Sequence, residues 1–351
     1  MSFNRIPTAL AILAATALSA CLAHQGINAP GDPAKPVTAV AETRVTTDSA
    51  VDADDPALWA DSRNPGRALL FSTDKSDGLY VHDLDGTVRQ FLSDGPLNNV
   101  DLRPGFVVDG REQVLVAASD RAQSGIRAYL LDPDTLATRP FGFIPTEIGE
   151  PYGFCLGQRG NDVYALISNK DGRMQQIRMT AGAEGVVGNV VRELKVATQP
   201  EGCVVDDAAQ SLYVGEEDVG VWRFGFDPAG PALATAIARV DNQRIAADVE
   251  GLALIRDGGR QYLLVSSQGD STYGVFRIEG DAHVYVGRFA VVDGPVIDGV
   301  SSTDGLSAWS GPIGGYPEGV LAMHDDKDAP LRGQQNFKLV DWRDVKTALG
   351  L

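Results

Sequence analysis

Acidic side chains recur in this chain at intervals of roughly 50 residues, each at the start of a short apolar run. The positions that mark the repeat are Asp55, Asp101, Tyr152, Glu201, Glu250 and Asp304. If equivalent strands begin there, five carboxylates and one phenol gather in one place. Carboxylates packed so closely become protonated unless a cation neutralises them. All four histidines lie outside the repeat, and hard oxygen ligands select Ca²⁺ or Mg²⁺ over zinc. The pattern therefore predicts a carboxylate metal site.

A second repeat adds charge of the opposite sign. Each mark is followed by an aliphatic strand, a polar turn and another strand, which is a hairpin signal. The turns of the first three units carry Lys75, Arg121 and Lys170, and those of the last three carry Glu217, Asp270 and Asp325. Arg binds phosphate with two hydrogen bonds, Lys acts as a point charge, and metal ions bridge further phosphate oxygens. A basic arc beside a metal site favours a phosphorylated, anionic ligand.

The acidic and basic side chains of the two repeats can be brought together only by a fold that repeats the same structural unit. A period of about 50 residues with three or four short strands per unit is typical of a propeller blade, and radial repetition leaves only short protected edges. The inner strands of a propeller surround a central channel. We therefore predict an all-β, six-bladed β-propeller over residues 38–351, with calcium sites at the channel mouth. The segment 37–46 precedes the first mark and is expected to complete the last blade beside residues 336–340. A sandwich or a two-domain fold would leave the even period unexplained.

The N-terminal segment predicts export. Residues 1–21 combine Arg5 with a short apolar stretch and end in Leu18-Ser19-Ala20-Cys21, which resembles a bacterial lipobox. We expect lipidation of Cys21; the alternative is an ordinary signal peptide cleaved near Ala20 or Ala23. Residues 22–37 are predicted to be a flexible tether. The protein is expected to be an outer-membrane lipoprotein that faces the periplasm or the cell surface. If Cys21 is not lipidated, the protein is expected to be secreted.

Composition excludes some partners. The chain of 351 residues has a formal net charge of −17, which argues against nucleic-acid binding because phosphate contacts need clustered Lys and Arg. Membrane contact is expected only through a lipid at Cys21, and the propeller is expected to be a monomer. Cys155 and Cys203 occupy offsets that point to opposite faces in regular strands. We therefore expect buried free thiols, although export permits a disulfide.

The sequence has no motif for several covalent phosphatase or hydrolase mechanisms. No Arg follows Cys155 or Cys203 at the sixth position, and there is no Gly-x-x-x-x-Gly-Lys loop or Gly-x-Ser-x-Gly elbow. Phosphate ester hydrolysis would therefore need direct attack by a metal-activated water.

The ordered set of motifs resembles the β-propeller phytases, a calcium-dependent family that hydrolyses phytate (inositol hexakisphosphate). The resemblance covers about 38–351. The matching segments are 54–59, 97–101, 152–154, 201–202, 216–218, 248–252, 266–269, 303–305 and 335–338. The sequence departs from the family's pattern at three positions: Ser76, Asp171 and Ser302 stand where a Lys, a Glu and an Asp are usual.

The resemblance implies a role for each matching residue. Calcium ligands near the first two blades would be Glu42, Asp55, Asn99 and Asp101. The catalytic calcium cluster would be Glu201, Glu217, Asp248, Glu250 and Asp304. A structural calcium would be held by Asp298 and Asn336. The phosphate-binding set would be Lys75, Arg121, Tyr152 and Lys170.

These observations lead to one main functional hypothesis and two alternatives. The main one is a calcium-dependent phytase of the 3-phytase type that acts on phytate and lower inositol phosphates and releases inorganic phosphate. The first alternative is another metal-dependent propeller hydrolase, such as a lactonase-like enzyme, for which the basic arc would be dispensable. The second is a non-catalytic, calcium-stabilised binding propeller.

Overall fold

The structure is a computed structural model that describes residues 25–44, 52–328 and 334–351. Cys21 and the rest of the predicted signal segment lie outside the described residues. Within the described part, no helix has the length and apolar character needed to span a membrane.

Six sheets make up the described chain, and each is one blade. Blade one contains β3 (Ala53–Asp61), β4 (Asn64–Asp74), β5 (Gly78–His82) and β6 (Val88–Leu92). Blade two contains β7 (Leu97–Val108), β8 (Arg111–Asp120), β9 (Gly125–Leu131) and β10 (Thr138–Pro145). Blade three contains β11 (Phe154–Arg159), β12 (Asp162–Ser168), β13 (Arg173–Gly182) and β14 (Gly185–Lys195). Blade four contains β15 (Pro200–Asp206), β16 (Ser211–Glu216), β17 (Gly220–Gly225) and β18 (Thr235–Arg239).

The last two blades also take strands from the N-terminal segment. Blade five contains β19 (Leu252–Asp257), β20 (Arg260–Ser267), β21 (Thr272–Glu279) and β22 (Ala282–Val292), with β1 (Lys35–Thr38) beside β22. Blade six contains β23 (Leu306–Ser310), β24 (Gly319–Asp325) and β25 (Asn336–Asp341), with β2 (Ala41–Glu42) as its outer strand. The inner strands β3, β7, β11, β15, β19 and β23 contact one another in sequence and close a ring. The predicted all-β, six-bladed propeller is therefore confirmed.

Polar turns and apolar strands explain each hairpin. Between β4 and β5 the Asp74 carboxylate accepts the backbone N–H groups of Ser76 at 2.8 Å and Asp77 at 3.2 Å, and Gly78 follows with φ +145°. This is an Asx-type turn closed by a glycine that tolerates positive φ. The apolar faces of blades one and two meet through buried side chains such as Phe71 and Val116. The core is thus distributed among the interfaces between consecutive blades.

The N-terminal strand β2 closes the ring. It pairs antiparallel with β25, and Glu42 lies opposite Lys338. The predicted completion of the last blade is confirmed, since β2 of the N-terminal segment and β25, the last strand of the chain, share one sheet.

The segment before β2 differs from the predicted flexible tether. From residue 25 onward it forms the short helix α1 (Gln25–Asn28) and β1, which pairs in parallel with β22. Val37 is buried, and the carbonyl oxygens of Pro30 and Asp32 accept hydrogen bonds from the buried Arg288 at 2.6 and 2.5 Å. The unpaired edge of β22 supplies hydrogen bonds that a composition of Ala, Gly and Pro does not reveal.

The chain ends in helix α2 (Trp342–Leu349). Asp341 caps the helix by accepting the Arg343 backbone N–H at 2.9 Å, and Trp342 and Val345 are buried in the core of blades five and six.

Cys155 and Cys203 form a disulfide, with their Cα atoms 5.7 Å apart. The expectation of two free thiols is wrong. A β-bulge between Pro200 and Cys203 shifts the register of β15, and an extra residue changes which face the following side chains point to. The offset that separates the two cysteines in regular strands therefore does not apply.

Candidate active site and metal centre

Glycines that follow the repeat marks allow the inner strands to approach closely. A Cβ placed on Gly202 would lie 1.7 Å from the Glu250 carbonyl oxygen, and one on Gly153 would lie 2.0 Å from that of Glu201. A side chain at either position would therefore push neighbouring blades apart. The mark and its glycine together place the acidic residues of consecutive blades side by side.

Three glutamates form the centre of the site. Glu201, Glu217 and Glu250 each place one carboxylate oxygen within 4.8 Å of the others. Glu201 and Glu250 precede the regular part of their inner strands and are 6% and 5% exposed, while Glu217 comes from the turn after β16. Three acids from blades four and five are thus brought together from sequence positions up to 49 residues apart.

Neutral polar groups orient these glutamates. Tyr152 Oη donates to Glu217 Oε1 at 3.0 Å, and Gln199 Nε2 donates to the same oxygen at 2.6 Å. Asn98 Nδ2 donates to Glu201 Oε1 at 2.8 Å. The second carboxylate oxygen of Glu250 is buried and has no hydrogen-bond partner among the described residues. An acceptor oxygen that is buried and unpartnered indicates a place for a cation.

Burial and mutual repulsion act together on the carboxylates. Burial raises the pKa of Glu250 well above its usual range, and the charge of Glu201 raises it further. Burial likewise raises the pKa of Glu201 to about 7. The pKa of Glu217 is raised by burial, and that of Asp248 by burial and by the neighbouring Asp218. Keeping these acids ionised is unfavourable in free energy unless a cation lies beside them.

Lys75 lies among acids at one side of the site. Its Nζ is 2.9 Å from Asp54 Oδ1, 3.4 Å from Asp304 Oδ2 and 3.6 Å from Asp52 Oδ1. Although burial opposes it, the charges of Asp54 and Asp304 raise the pKa of Lys75, so its ammonium is held protonated. Lys75 therefore neutralises the acidic ring in this structure, and its expected contact with phosphate stays a prediction.

Arg121 and Lys170 lie close to two polar side chains that contact the glutamates. Arg121 pairs with the half-exposed Glu150 at 2.8 Å, and its other nitrogen lies 3.5 Å from Asn98 Oδ1. Lys170 Nζ lies 4.5 Å from the centre of the Tyr152 ring, a cation–π contact. Tyr152 lies between Lys170 and Glu217, and Asn98 lies between Arg121 and Glu201.

Asp55, Asn99 and Asp101 lie on the inner strands of the first two blades and bind their neighbours. The Asp55 carboxylate accepts the Val100 backbone N–H at 3.0 Å, and the Asp101 carboxylate accepts that of Leu156 at 2.8 Å. Asp101 also pairs with Arg103 at 3.0 Å. Asn99 Oδ1 accepts the Asn98 amide at 3.0 Å. These side chains join blade to blade beside the glutamates.

A second acidic cluster lies where the ring closes. Oxygens of Glu42, Asp298 and Asp328 lie within 4.8 Å of one another. Asn336 Nδ2 donates to Glu42 at 3.3 Å and to Asp328 at 2.9 Å. Glu42 therefore groups with Asp298 and Asn336, and not with the acids of the first two blades as the resemblance implied. The pairing of β2 with β25 decides this placement.

Lys338 occupies the middle of that cluster. Its Nζ is bound by Glu42 at 2.6 Å and Asp328 at 2.9 Å, contacts Asp298, and lies 3.5 Å from Asp325. The lysine side chain is fully buried. The cluster thus contains one internal cation against four carboxylates.

Both clusters suit a hard divalent cation. Buried oxygens without a hydrogen-bond partner in the described chain are Glu250 Oε2 and Asp54 Oδ2 in the first, and Asp325 Oδ2 and Asn336 Oδ1 in the second. All the donors are carboxylate or amide oxygens, the set that Ca²⁺ prefers. The residues present therefore fit calcium.

Some residues of the site were not predicted. Asp54 and Asn98 sit inside the repeated segments, so their positions beside the marks were the available signal. Asp328 lies in a loop of blade six outside both repeats, and the sequence has no pattern that singles it out. Asp270, an acid of the second repeat, is paired with Arg288 at 2.7 Å and lies on the blade-five side of the fold.

The raised pKa values predict a pH-dependent response to calcium. An acid whose folded pKa is above its unfolded value destabilises the metal-free protein as pH rises from about 4.5 through the folded pKa. Glu201, with a pKa of about 7, and Glu250 follow this sign. Calcium binding requires the same groups deprotonated. We expect the rise in melting temperature on replacing EDTA with Ca²⁺ to be larger at pH 8 than at pH 5.5, as measured by calorimetry.

Measuring the melting temperature with Ca²⁺ and with EDTA at each pH removes the contribution of other titrating groups. Burial lowers the pKa of His82 to about 4, so this histidine makes the protein less stable as the pH falls below 6.5, which is opposite to the effect of the glutamates. The effect of His82 is the same with and without metal and therefore cancels in the comparison. A calcium-dependent gain that is the same at both pH values would contradict the assignment of the buried glutamates as the metal ligands.

The fold and site define a class of protein: a six-bladed β-propeller with a carboxylate cluster that could hold a metal ion and with basic side chains beside that cluster. Comparison with known sequences gives the family. The sequence model of the phytase family matches residues 4–351. A 3-phytase of Bacillus subtilis (strain 168) is 37% identical over 328 residues, which cover 90% of this chain and 85% of that protein. The chain belongs to the phytase family, whose members are phosphomonoester hydrolases.

Among solved structures, the chain is similar to the β-propeller domain of Cps50 (Swd1) from Myceliophteria thermophila. The TM-score is 0.46 at 13% identity, with 82% of each chain covered.

Proposed function

We propose that this protein is a calcium-dependent phytase that releases inorganic phosphate from phytate and lower inositol phosphates. The observation that carries the proposal is the cluster of Glu201, Glu217 and Glu250 beside the cations Arg121 and Lys170. The Bacillus relative is named a 3-phytase, which supports phytate as the substrate.

The carboxylates and the cations have separate tasks in this proposal. Glu201, Glu217 and Glu250 hold Ca²⁺, with Asp304 and Asp248 at the edge of the cluster. Calcium held by these residues would supply neutralisation of the substrate charge and a lowered pKa for the water that attacks phosphorus. Arg121 and Lys170 bind phosphoryl oxygens and stabilise the charge that develops on them.

Tyr152 and Asn98 connect the two tasks. Tyr152 donates to Glu217 and carries Lys170 over its ring. Asn98 donates to Glu201 and faces Arg121. Each cation is thereby oriented relative to one glutamate, so a phosphate held by the cations is presented to the calcium-binding side of the cluster. Positioning of this kind accounts for a large part of phosphoryl-transfer catalysis.

The test is phosphate release from phytate by the purified protein. We expect activity with Ca²⁺, loss of activity in excess EDTA and recovery when Ca²⁺ is added back. The matched control is EDTA that has been saturated with Ca²⁺ beforehand. Activity that is unchanged by chelation would contradict the proposal, and so would a protein that binds Ca²⁺ but releases no phosphate from phytate.

A further inference from the structure

The Cys155–Cys203 disulfide joins two strands that belong to different sheets. Cys155 lies on β11 of blade three and Cys203 on β15 of blade four. Strands of separate blades share no hydrogen-bonded ladder, so their relative position depends on side-chain contacts. The disulfide is the covalent contact at this interface.

The neighbouring interfaces use carboxylates for the same purpose. Asp55 of blade one accepts a backbone N–H of blade two, and Asp101 of blade two accepts one of blade three. Both aspartates occupy the first position of the repeat. In blade three that position is Tyr152, whose hydroxyl instead reaches Glu217. At this interface the mark itself supplies no bridging carboxylate; Asp207, which lies outside the repeat, accepts the Gln158 backbone N–H at 2.7 Å, and the disulfide adds the covalent link.

The candidate site spans this same interface. Tyr152, three residues before Cys155, and Lys170 belong to blade three, whereas Glu201, two residues before Cys203, and Glu217 belong to blade four. The hydrogen bond from Tyr152 to Glu217 is 3.0 Å long and crosses from one blade to the other. A small slide of β11 against β15 would break it and carry Lys170 away from the glutamates.

We propose that the Cys155–Cys203 disulfide is a positioning element of the site, which holds Tyr152 and Lys170 of blade three against Glu201 and Glu217 of blade four. The inference rests on the proposed function. Both cysteines also line the channel cavity of about 290 Å³, and Cys155 is 1% exposed. The link therefore lies three residues after Tyr152 on one strand and two residues after Glu201 on the other.

The test compares disulfide-free variants with a variant that is destabilised elsewhere. The first variant is Cys155→Ala/Cys203→Ala, and Cys155→Val/Cys203→Ala refills the buried position if the first folds poorly. Loss of a disulfide and a buried Leu→Ala change destabilise a protein to a similar extent. Leu131→Ala, in the core between blades one and two, is therefore the matched control.

The main readout is binding of Tb³⁺, a Ca²⁺ analogue, followed by luminescence well below the melting temperature. We expect the disulfide-free variant to need about tenfold more Tb³⁺ for half-saturation, as when groups that orient metal ligands are removed. With phytate and saturating Ca²⁺ we expect kcat/KM to fall about tenfold through the loss of positioning. Leu131→Ala is expected to leave both values near those of the unmodified protein.

The outcomes separate this inference from the proposed function. Equal Tb³⁺ half-saturation in the disulfide-free and unmodified proteins would overturn it, and so would equal shifts in the disulfide-free and Leu131→Ala variants. If the unmodified protein releases no phosphate from phytate, the proposed function fails, while the Tb³⁺ titration still decides whether the disulfide positions the glutamates.

Discussion

Replacing Glu250 with Gln is expected to lower kcat/KM for phosphate release from phytate by at least about 100-fold. The substitution keeps the size of the side chain and removes one of the three charges that face each other in the central cluster. Loss of a group that merely orients a metal ligand costs about 10–100-fold, so loss of a ligand itself should cost at least the upper value. The measurement is steady-state kinetics with Ca²⁺ in excess.

The same substitution should have the opposite effect on the metal-free protein. Burial and the Glu201 charge raise the pKa of Glu250, so its ionised form is unfavourable in the fold. We expect the melting temperature of Glu250→Gln in EDTA at pH 8 to equal or exceed that of the unmodified protein, and its rise on adding Ca²⁺ to be smaller. A globally misfolded variant would lose stability in both conditions.

The control for Glu250 is Glu193→Gln, an exposed carboxylate on the outer strand of blade three. It removes the same charge from the chain and should leave activity unchanged. Full activity of Glu250→Gln would show that the cluster is not the catalytic calcium site. Equal losses in both variants would show that net charge, rather than the cluster, governs the rate.

Replacing Lys338 with Met is expected to destabilise the protein by about 3–5 kcal/mol, since removing one partner of a buried ion pair leaves uncompensated charge. Lys338 Nζ contacts Glu42, Asp298 and Asp328, with Asp325 nearby. Although burial opposes it, the hydrogen bonds that the Lys338 ammonium donates to the Asp298 and Glu42 carboxylates raise the pKa of Lys338. Without the ammonium, these four acids repel one another at the strand pair that closes the ring.

Calcium should partly compensate for the lost lysine. A divalent cation can replace the ammonium among the same oxygens, so we expect Ca²⁺ to raise the stability of Lys338→Met more than that of the unmodified protein. The measurement is urea unfolding with Ca²⁺ and with EDTA.

Lys346→Met is the matched control for Lys338. Lys346 pairs with Asp257 at 2.9 Å and also contacts Glu318 near the surface, where such pairs contribute about 0–1 kcal/mol. Similar losses of stability in the two variants would contradict the role assigned to the buried lysine.

The fold and the central part of the site could be predicted from sequence because the repeat is regular. Each mark is followed by a strand and a polar turn of nearly constant length, and six such units close only as a propeller. The marks Glu201 and Glu250 then had to meet at one end of the inner strands. Lys170 and Arg121 followed from equivalent turns of consecutive blades.

Other features could not be read from the repeat because they depend on contacts between units. The bulge in β15 that allows Cys155 to reach Cys203 is a local change of register. The ordered segment before β2 depends on the free edge of β22. Asp328 joins Glu42 because the N-terminal strand β2 completes the last blade, although the two residues are far apart in the chain.

The repeat alone predicts the number of blades, the inner strand on which or just before which each marked acid stands, and the gathering of the acids at one end of the channel. The tertiary structure alone decided how the charges are paired: Lys75 with Asp54 and Asp304, Lys338 with the ring-closure acids, and Tyr152 with Glu217. The physical reason is that periodicity records the local preferences of each unit, which recur. The pairing of charges depends on distances of a few ångströms between blades, which are set only when the ring closes.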